Sequence, residues 1–224
     1  DVFWFRVSKD RTADNRTTGY FTGGRILVVI DRGDYWQCAY VFAKGEAKKV
    51  RERGLDVFRR EVARVAPVTA DRVDEIASWD DVRLLSVALD RLERWDRPGF
   101  LAIGDAAHAM SPVGGVGINL AIQDAVAAAN RLHGEFGSGA PPLSALLDVQ
   151  KRRDFPTRVT QRFQVLVQNN ILQRVLEEDP AGRPLRPPLA ARLLGRYALL
   201  RRIPARMIGM GARPEHIRSP TVAA

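Results

Sequence analysis

Residues 104–119 read GDAAHAMSPVGGVGIN, and this is the most informative segment of the chain. The fully apolar run at residues 100–103 (FLAI) comes directly before it. A short run of this kind is typical of a strand buried on both faces, as in a parallel sheet. A helix follows the glycines, so the order strand, loop, helix predicts an α/β unit that binds a ligand beyond the carboxyl end of the strand.

The helix after the loop is predicted from the spacing of its apolar residues, which recur three or four positions apart. This spacing gives one continuous stripe on a helix, and we expect the stripe to face the sheet. Its members are Ile118, Ala121, Ile122, Ala125, Val126 and Ala129.

The loop itself has the chemistry of a site for a polar ligand. Gly114, Gly115 and Gly117 carry no side chains where the helix begins, so backbone N–H groups and the positive end of the helix dipole are open to a ligand. Asp105 accepts hydrogen bonds when ionised, and a hydroxyl group is a suitable donor to it. A ligand with hydroxyls at one end and an electron-rich ring at the other satisfies both demands. The ribityl chain and pyrimidine ring of a flavin have this combination.

Residues 104–119 closely resemble the second flavin-binding motif of the FAD-dependent monooxygenases related to para-hydroxybenzoate hydroxylase. The resemblance implies that Asp105 binds a ribityl hydroxyl and that Pro112 lies between the flavin ring and the substrate. It also implies that Gly117, Ile118 and Asn119 present backbone amides to the flavin. Gly104, Gly114 and Gly115 complete the expected cofactor site, and no residue is assigned a catalytic role.

The family resemblance also implies an activity. NADH or NADPH would reduce FAD, oxygen would add to give a flavin hydroperoxide, and that species would hydroxylate a small aromatic substrate. One alternative is a related flavoprotein oxidoreductase that does not hydroxylate a ring. A second alternative, from another class, is a basic polyanion-binding module, suggested by the formal net charge of +9.

Two motifs of the family are absent from this sequence. Family members open with Gly-x-Gly-x-x-Gly for the FAD pyrophosphate and carry a later Asp-Gly motif, and neither occurs here in a suitable context. The chain is therefore expected to be the C-terminal portion of a larger flavoprotein. Its first partner would be the missing N-terminal FAD-binding region, and without that region we do not expect tight FAD binding.

The resemblance and the residue patterns together predict three regions in an α/β (α+β) fold. Residues 1–92 form a substrate-side antiparallel sheet, with a hairpin that turns at Gly33, a strand at residues 82–89 and a crossing helix that Pro67 ends. Residues 93–133 form the strand, loop and helix of the FAD-binding domain, and residues 134–224 form a helical C-terminal region.

In the C-terminal region an apolar face is expected on the helix that passes Pro156, where we expect a kink or restart. Its members are Phe155, Val159, Phe163 and Val167.

Trp36, Cys38 and Tyr40 alternate along one strand and share a face. That face either lines the substrate cavity, together with Pro112, or belongs to the core.

Composition excludes several other classes. A single cysteine, Cys38, and three histidines are too few for a Cys/His metal cluster, so no metal is expected. The basic residues are scattered among acidic neighbours, which favours solvated helix faces over a nucleic-acid site. No apolar run is long enough for membrane insertion, and residues 1–5 lack the basic start and long apolar stretch of a signal peptide. We therefore expect a cytoplasmic enzyme, with a homodimer compatible with the sequence.

Overall fold

The structure is a computed structural model that describes residues 1–10, 16–177 and 195–220. The chain divides into two compact units. The first consists of Asp1–Val87 with Gln168–Arg186, and the second of Ala88–Val167 with Pro187–Ala224. The loop at residues 104–116, the helix after it and the segment that follows that helix up to residue 167 therefore belong to one unit. In the part of the chain that the structure describes, no helix has the length and apolar composition to cross a membrane.

The first unit is built on a five-stranded antiparallel sheet in the order β2-β3-β4-β1-β5. The strands are β1 (Val2–Ser8), β2 (Thr18–Thr22), β3 (Arg25–Asp31), β4 (Tyr35–Val41) and β5 (Arg83–Leu85). The predicted hairpin between β3 and β4 is confirmed, and Gly33 takes a positive φ of 91° in its turn. The strand predicted over residues 82–89 is shorter, because only Arg83–Leu85 pairs with β1.

Two helices follow β4 in this unit. They are α1 (Ala47–Glu52) and α2 (Leu55–Val65), and α2 ends before Pro67 as predicted. The apolar stripe of α2, which includes Phe58 and Val62, packs on one face of the sheet and forms the core of this unit. The chain returns to the unit through a π-helical turn at Gln168–Leu172 and α5 (Gln173–Glu177).

The second unit contains the loop, helices and a minimal hairpin. Strands β6 (Asp96–Arg97) and β7 (Phe100–Leu101) pair antiparallel, followed by α3 (Gly117–Leu132), α4 (Leu143–Val167) and α6 (Ala198–Gly209). The predicted doubly buried strand at residues 100–103 is wrong for the described chain. Phe100 is 58% exposed, because no described strand lies parallel to it.

The buried faces of α3 and α4 also differ from the prediction. Ile118 and Ile122 of the predicted stripe are 70% and 57% exposed, whereas Leu120, Asp124 and Ala127 are buried. On α4 the buried face is largely polar, and the helix continues through Pro156. The buried polar residues of α4 are Arg153, Thr157, Thr160, Gln161 and Gln164. Packing against the loop, and not hydrophobic periodicity, selects these faces.

A half-buried carboxylate, Glu61, links α2 to the sheet. Glu61 accepts hydrogen bonds from the Tyr40 hydroxyl at 2.8 Å and from the guanidinium groups of Arg25 at 2.9 Å and Arg53 at 2.7 Å. Burial by itself would raise the pKa of Glu61, but these donors outweigh it and hold the pKa below its usual value. Glu61 therefore stabilises the folded chain in its ionised form.

We predict that Glu61→Gln lowers the free energy of unfolding at pH 7 by about 1–3 kcal/mol. Because the folded pKa lies below the unfolded one, the wild-type contribution is complete above about pH 4.3 and is lost as pH falls through the folded pKa. Urea unfolding between pH 7 and pH 3 should show a steeper acid loss for wild type than for the variant. The control is Glu52→Gln, at an exposed ion pair, and equal profiles for all three proteins would contradict the prediction.

Candidate flavin-binding site

The loop between β7 and α3 consists of two short 3₁₀ turns, Gly104–Ala106 and Val113–Gly115. Gly104 adopts a φ of 57°, and a Cβ atom there would lie 3.0 Å from the Cβ of Ala121. Only glycine allows this close approach of loop to helix without a shift of one of them. The first residue of the GDAAH sequence thus has a steric reason to be glycine.

One side of the loop is open. Asp105 is exposed, and its carboxylate makes no hydrogen bond to any residue that the structure describes. Pro112, Gly114 and Gly115 are exposed as well. Gly115 has a φ of 62°, and no atom lies within 4 Å of the position its Cβ would take. The structure therefore brings Asp105, Pro112 and the glycines into one loop with a free surface.

Helix α3 begins at Gly117, directly after this surface. The preceding residue, Val116, offers no side-chain acceptor, and no other side chain that the structure describes caps the first N–H groups of the helix. Uncapped amides and the positive end of the helix dipole favour an electron-rich or anionic group. The Asn119 side chain is engaged elsewhere, because its Nδ2 donates to the Ile208 carbonyl at 3.2 Å. Its backbone remains in the first turn of the helix.

The opposite side of the loop rests on a buried ionic group. Asp124 of α3 accepts hydrogen bonds from the Gly104 N–H at 3.1 Å, from His108 Nε2 at 2.6 Å and from Arg153 Nε at 2.8 Å. Burial alone would raise the pKa of Asp124, yet the His108 and Arg153 donors hold it below its usual value. His108 also packs its ring against Trp95. These contacts give His108 a role in holding the loop.

Two glutamines of α4 complete this support, and the sequence analysis missed both. Gln164 Oε1 accepts from the Ser111 N–H at 3.2 Å, while its Nε2 donates to the carbonyls of Ser111 at 2.7 Å and Val113 at 3.0 Å. Gln161 Nε2 donates to the Ala109 carbonyl at 3.2 Å. The only signal for these two glutamines in the sequence was their helical spacing, beside the residues expected to form the apolar face of the same helix.

Hydrogen bonds connect the C-terminal segment around residues 211–216 (GARPEH) to α3 and α4 of the same unit. Glu215 accepts from Arg152 at 2.7 and 2.9 Å, and Arg153 Nη1 donates to the Arg213 carbonyl at 3.0 Å. On α3, Gln123 donates to the Met210 carbonyl at 3.1 Å and Asn130 to the His216 carbonyl at 2.8 Å. This segment therefore runs along the face of α3 that carries Gln123 and Asn130, and Arg153 links it to Asp124.

Three of the residues considered as substrate contacts lie on β4 and not in the loop. Trp36, Cys38 and Tyr40 belong to the core beneath α2, and burial raises the pKa of the Cys38 thiol to about 12. The packing supports the core interpretation of this face. The opposite face of β1 and β4 borders a depression of about 740 Å³, whose lining includes Trp4, Arg6, Tyr35, Gln37 and Arg83.

Comparisons with known proteins agree with this geometry. A family described as "FAD binding domain" matches residues 4–163. 6-Methylpretetramide 4-monooxygenase of Streptomyces rimosus is 34% identical over 206 residues, which are 91% of this chain and 48% of that protein. Anhydrotetracycline monooxygenase of the same species is 35% identical over 151 residues, 58% of this chain and 29% of that protein.

Solved structures have the same fold. PqsL, a probable FAD-dependent monooxygenase from Pseudomonas aeruginosa, superposes with a TM-score of 0.63 at 21% identity, over 79% of this chain and 50% of that one. The chain spans about half the length, or less, of the relatives it matches. The family match covers most of the chain and includes the whole loop, so the chain belongs to the FAD-binding domain family of flavin-dependent monooxygenases.

Proposed function

We propose that this chain supplies the ribityl and ring-edge contacts of an FAD site, and the substrate-side sheet, in an NADH- or NADPH-dependent aromatic hydroxylase. The observation that carries the proposal is the open side of the loop. Among the described residues, the Asp105 carboxylate is exposed and accepts no hydrogen bond, and the start of α3 at Gly117 has no side-chain cap. The exposed Gly114 and Gly115 lie between these two positions along the chain. These are the two polar functions that a flavin requires.

Each group at this surface fits one part of FAD. The Asp105 carboxylate would accept a hydrogen bond from a ribityl hydroxyl. The amides of Gly117, Ile118 and Asn119 would donate to the N1/C2 carbonyl edge of the ring, where negative charge develops on reduction. Bound FAD would supply the redox chemistry, taking electrons from the nicotinamide cofactor and delivering oxygen from O₂. Pro112, exposed in the same loop, would line the space beside the ring.

For the substrate we propose a fused-ring aromatic compound of the kind that two relatives are named for, 6-methylpretetramide or anhydrotetracycline. The surface proposed to contact it is the open face of the sheet and not the core face with Trp36. Trp4 and Tyr35 offer aromatic rings there, and Arg6 and Gln37 offer hydrogen-bond donors. Such a mixture suits a flat ring system bearing oxygen atoms.

Asp105→Ala in the intact flavoprotein should weaken FAD binding by about tenfold or more, because one hydrogen bond to a charged acceptor is lost. The free energy of unfolding of the FAD-free protein should stay within about 0.5 kcal/mol of wild type, since Asp105 is exposed. Fluorescence titration with FAD measures the first effect and urea unfolding the second. An FAD affinity equal to that of the exposed control Asp148→Ala would contradict the proposal.

Trp4→Ala should raise the KM for 6-methylpretetramide by about fivefold or more, because stacking area is removed from the open face. Phe21→Ala is the control, because Phe21 is an exposed aromatic residue on β2 of the same sheet. Steady-state kinetics with both variants compare the two sites. The substrate surface is placed wrongly if the two variants have equal KM values.

Turnover under ¹⁸O₂ separates hydroxylation from the other chemistries of flavoproteins. We predict that one ¹⁸O atom enters the aromatic product for each NAD(P)H consumed, as mass spectrometry would record. A product oxidised or reduced without label would contradict ring hydroxylation and support a related oxidoreductase that does not transfer oxygen.

A further inference from the structure

We propose that three buried side chains, Asp124, Gln161 and Gln164, act as positioning residues for the flavin loop. Together they are called the loop clamp. The inference rests on the proposed function, in that it takes the open side of the loop as the flavin surface. It adds that the shape of this surface is set from behind, by polar groups on α3 and α4 that touch no flavin.

The clamp holds the loop at three places along its length. Asp124 holds the Gly104 N–H at the start, Gln161 holds the Ala109 carbonyl in the middle, and Gln164 holds the second 3₁₀ turn. All three side chains are buried. All three bind backbone atoms of the loop and so fix the path of the chain, and Asp124 also binds the side chain of the loop residue His108.

Gln164 has the most direct influence on the flavin surface. Its amide bonds to both the N–H and the carbonyl of Ser111 and to the carbonyl of Val113, and therefore brackets Pro112. A primary amide has a donor and an acceptor in the same plane, and this matches the pairing of one peptide with another. Pro112 itself is exposed on the open side. A change at Gln164 should therefore move Pro112 without touching the ligand.

The clamp also explains why the loop keeps its irregular shape. Backbone groups at buried positions such as Ser111 cost free energy when no partner satisfies them. Among the described residues, no strand or regular helix pairs with these groups, and the side-chain amides of Gln161 and Gln164 bind them instead. Once Gln164 is lost, the loop must either bury unpaired groups or rearrange until water reaches them.

The test compares two glutamines on one helix. Gln164→Met keeps the length and volume of the side chain but removes both polar functions, and Gln164→Glu keeps the acceptor for Ser111 but removes the donor. Gln150→Met is the matched control. Gln150 also lies on α4, accepts from the Trp95 N–H at 2.9 Å and donates to the Glu93 carbonyl at 2.8 Å, all outside the loop.

Three measurements on the intact protein read the outcome: FAD affinity by fluorescence titration, the visible flavin spectrum, and hydrogen exchange of residues 104–116. Both Gln164 variants should bind FAD at least about fivefold more weakly, with a shifted spectrum and faster loop exchange. Gln150→Met should change none of these, even where its unfolding temperature falls as far as that of Gln164→Met. If Gln164→Met does not fold, the same three measurements on Gln164→Glu still test the proposal.

Two different results would count against this proposal. One would contradict the loop clamp, and the other would contradict the proposed function on which it rests. FAD affinity and loop exchange that match between the Gln164 variants and wild type would overturn the clamp, while the flavin site would stand. No FAD binding by wild-type protein would overturn the proposed function. In that case loop exchange that rises only in the Gln164 variants would still support the clamp as a device that positions the loop.

Discussion

The structure of the second unit depends on how the backbone of one irregular loop finds its hydrogen-bond partners. The loop leaves β7, makes two 3₁₀ turns and enters α3, so most of its peptide groups belong to no regular ladder. Buried groups without partners would cost about 1–3 kcal/mol each. Side chains of α3 and α4 provide the partners, and this requirement places Asp124, Gln161 and Gln164 in the interior of the protein.

This constraint connects burial to function. Because side chains on one side of the loop satisfy its buried backbone groups, its other side can stay open, with Asp105, Pro112, Gly114 and Gly115 exposed. A preorganised open surface loses little entropy when a ligand binds, and its amides need no rearrangement to meet negative charge. The two carboxylates of this region differ accordingly. Asp124 is buried and Arg153 compensates its charge, whereas Asp105 is exposed and accepts no hydrogen bond from a described residue.

Local signals in the sequence predicted the parts of the fold that depend on local chemistry. The Gly33 turn, the end of α2 before Pro67 and the glycine loop before α3 follow from backbone preferences within a few residues. The alternation of Trp36, Cys38 and Tyr40 showed that they share a face but not which face α2 covers. The buried sides of α3 and α4 were predicted wrongly, because hydrophobic spacing does not register that a loop far away in sequence needs polar partners. Gln164 and Ser111 are 53 positions apart.

A crystal structure of the intact protein with FAD would show directly whether the open side of this loop is the flavin surface. We expect the Asp105 carboxylate within about 3 Å of a ribityl hydroxyl and the amides of the first turn of α3 at the N1/C2 edge of the ring. A flavin bound elsewhere, with Asp105 in solvent and the start of α3 without a ligand, would contradict it.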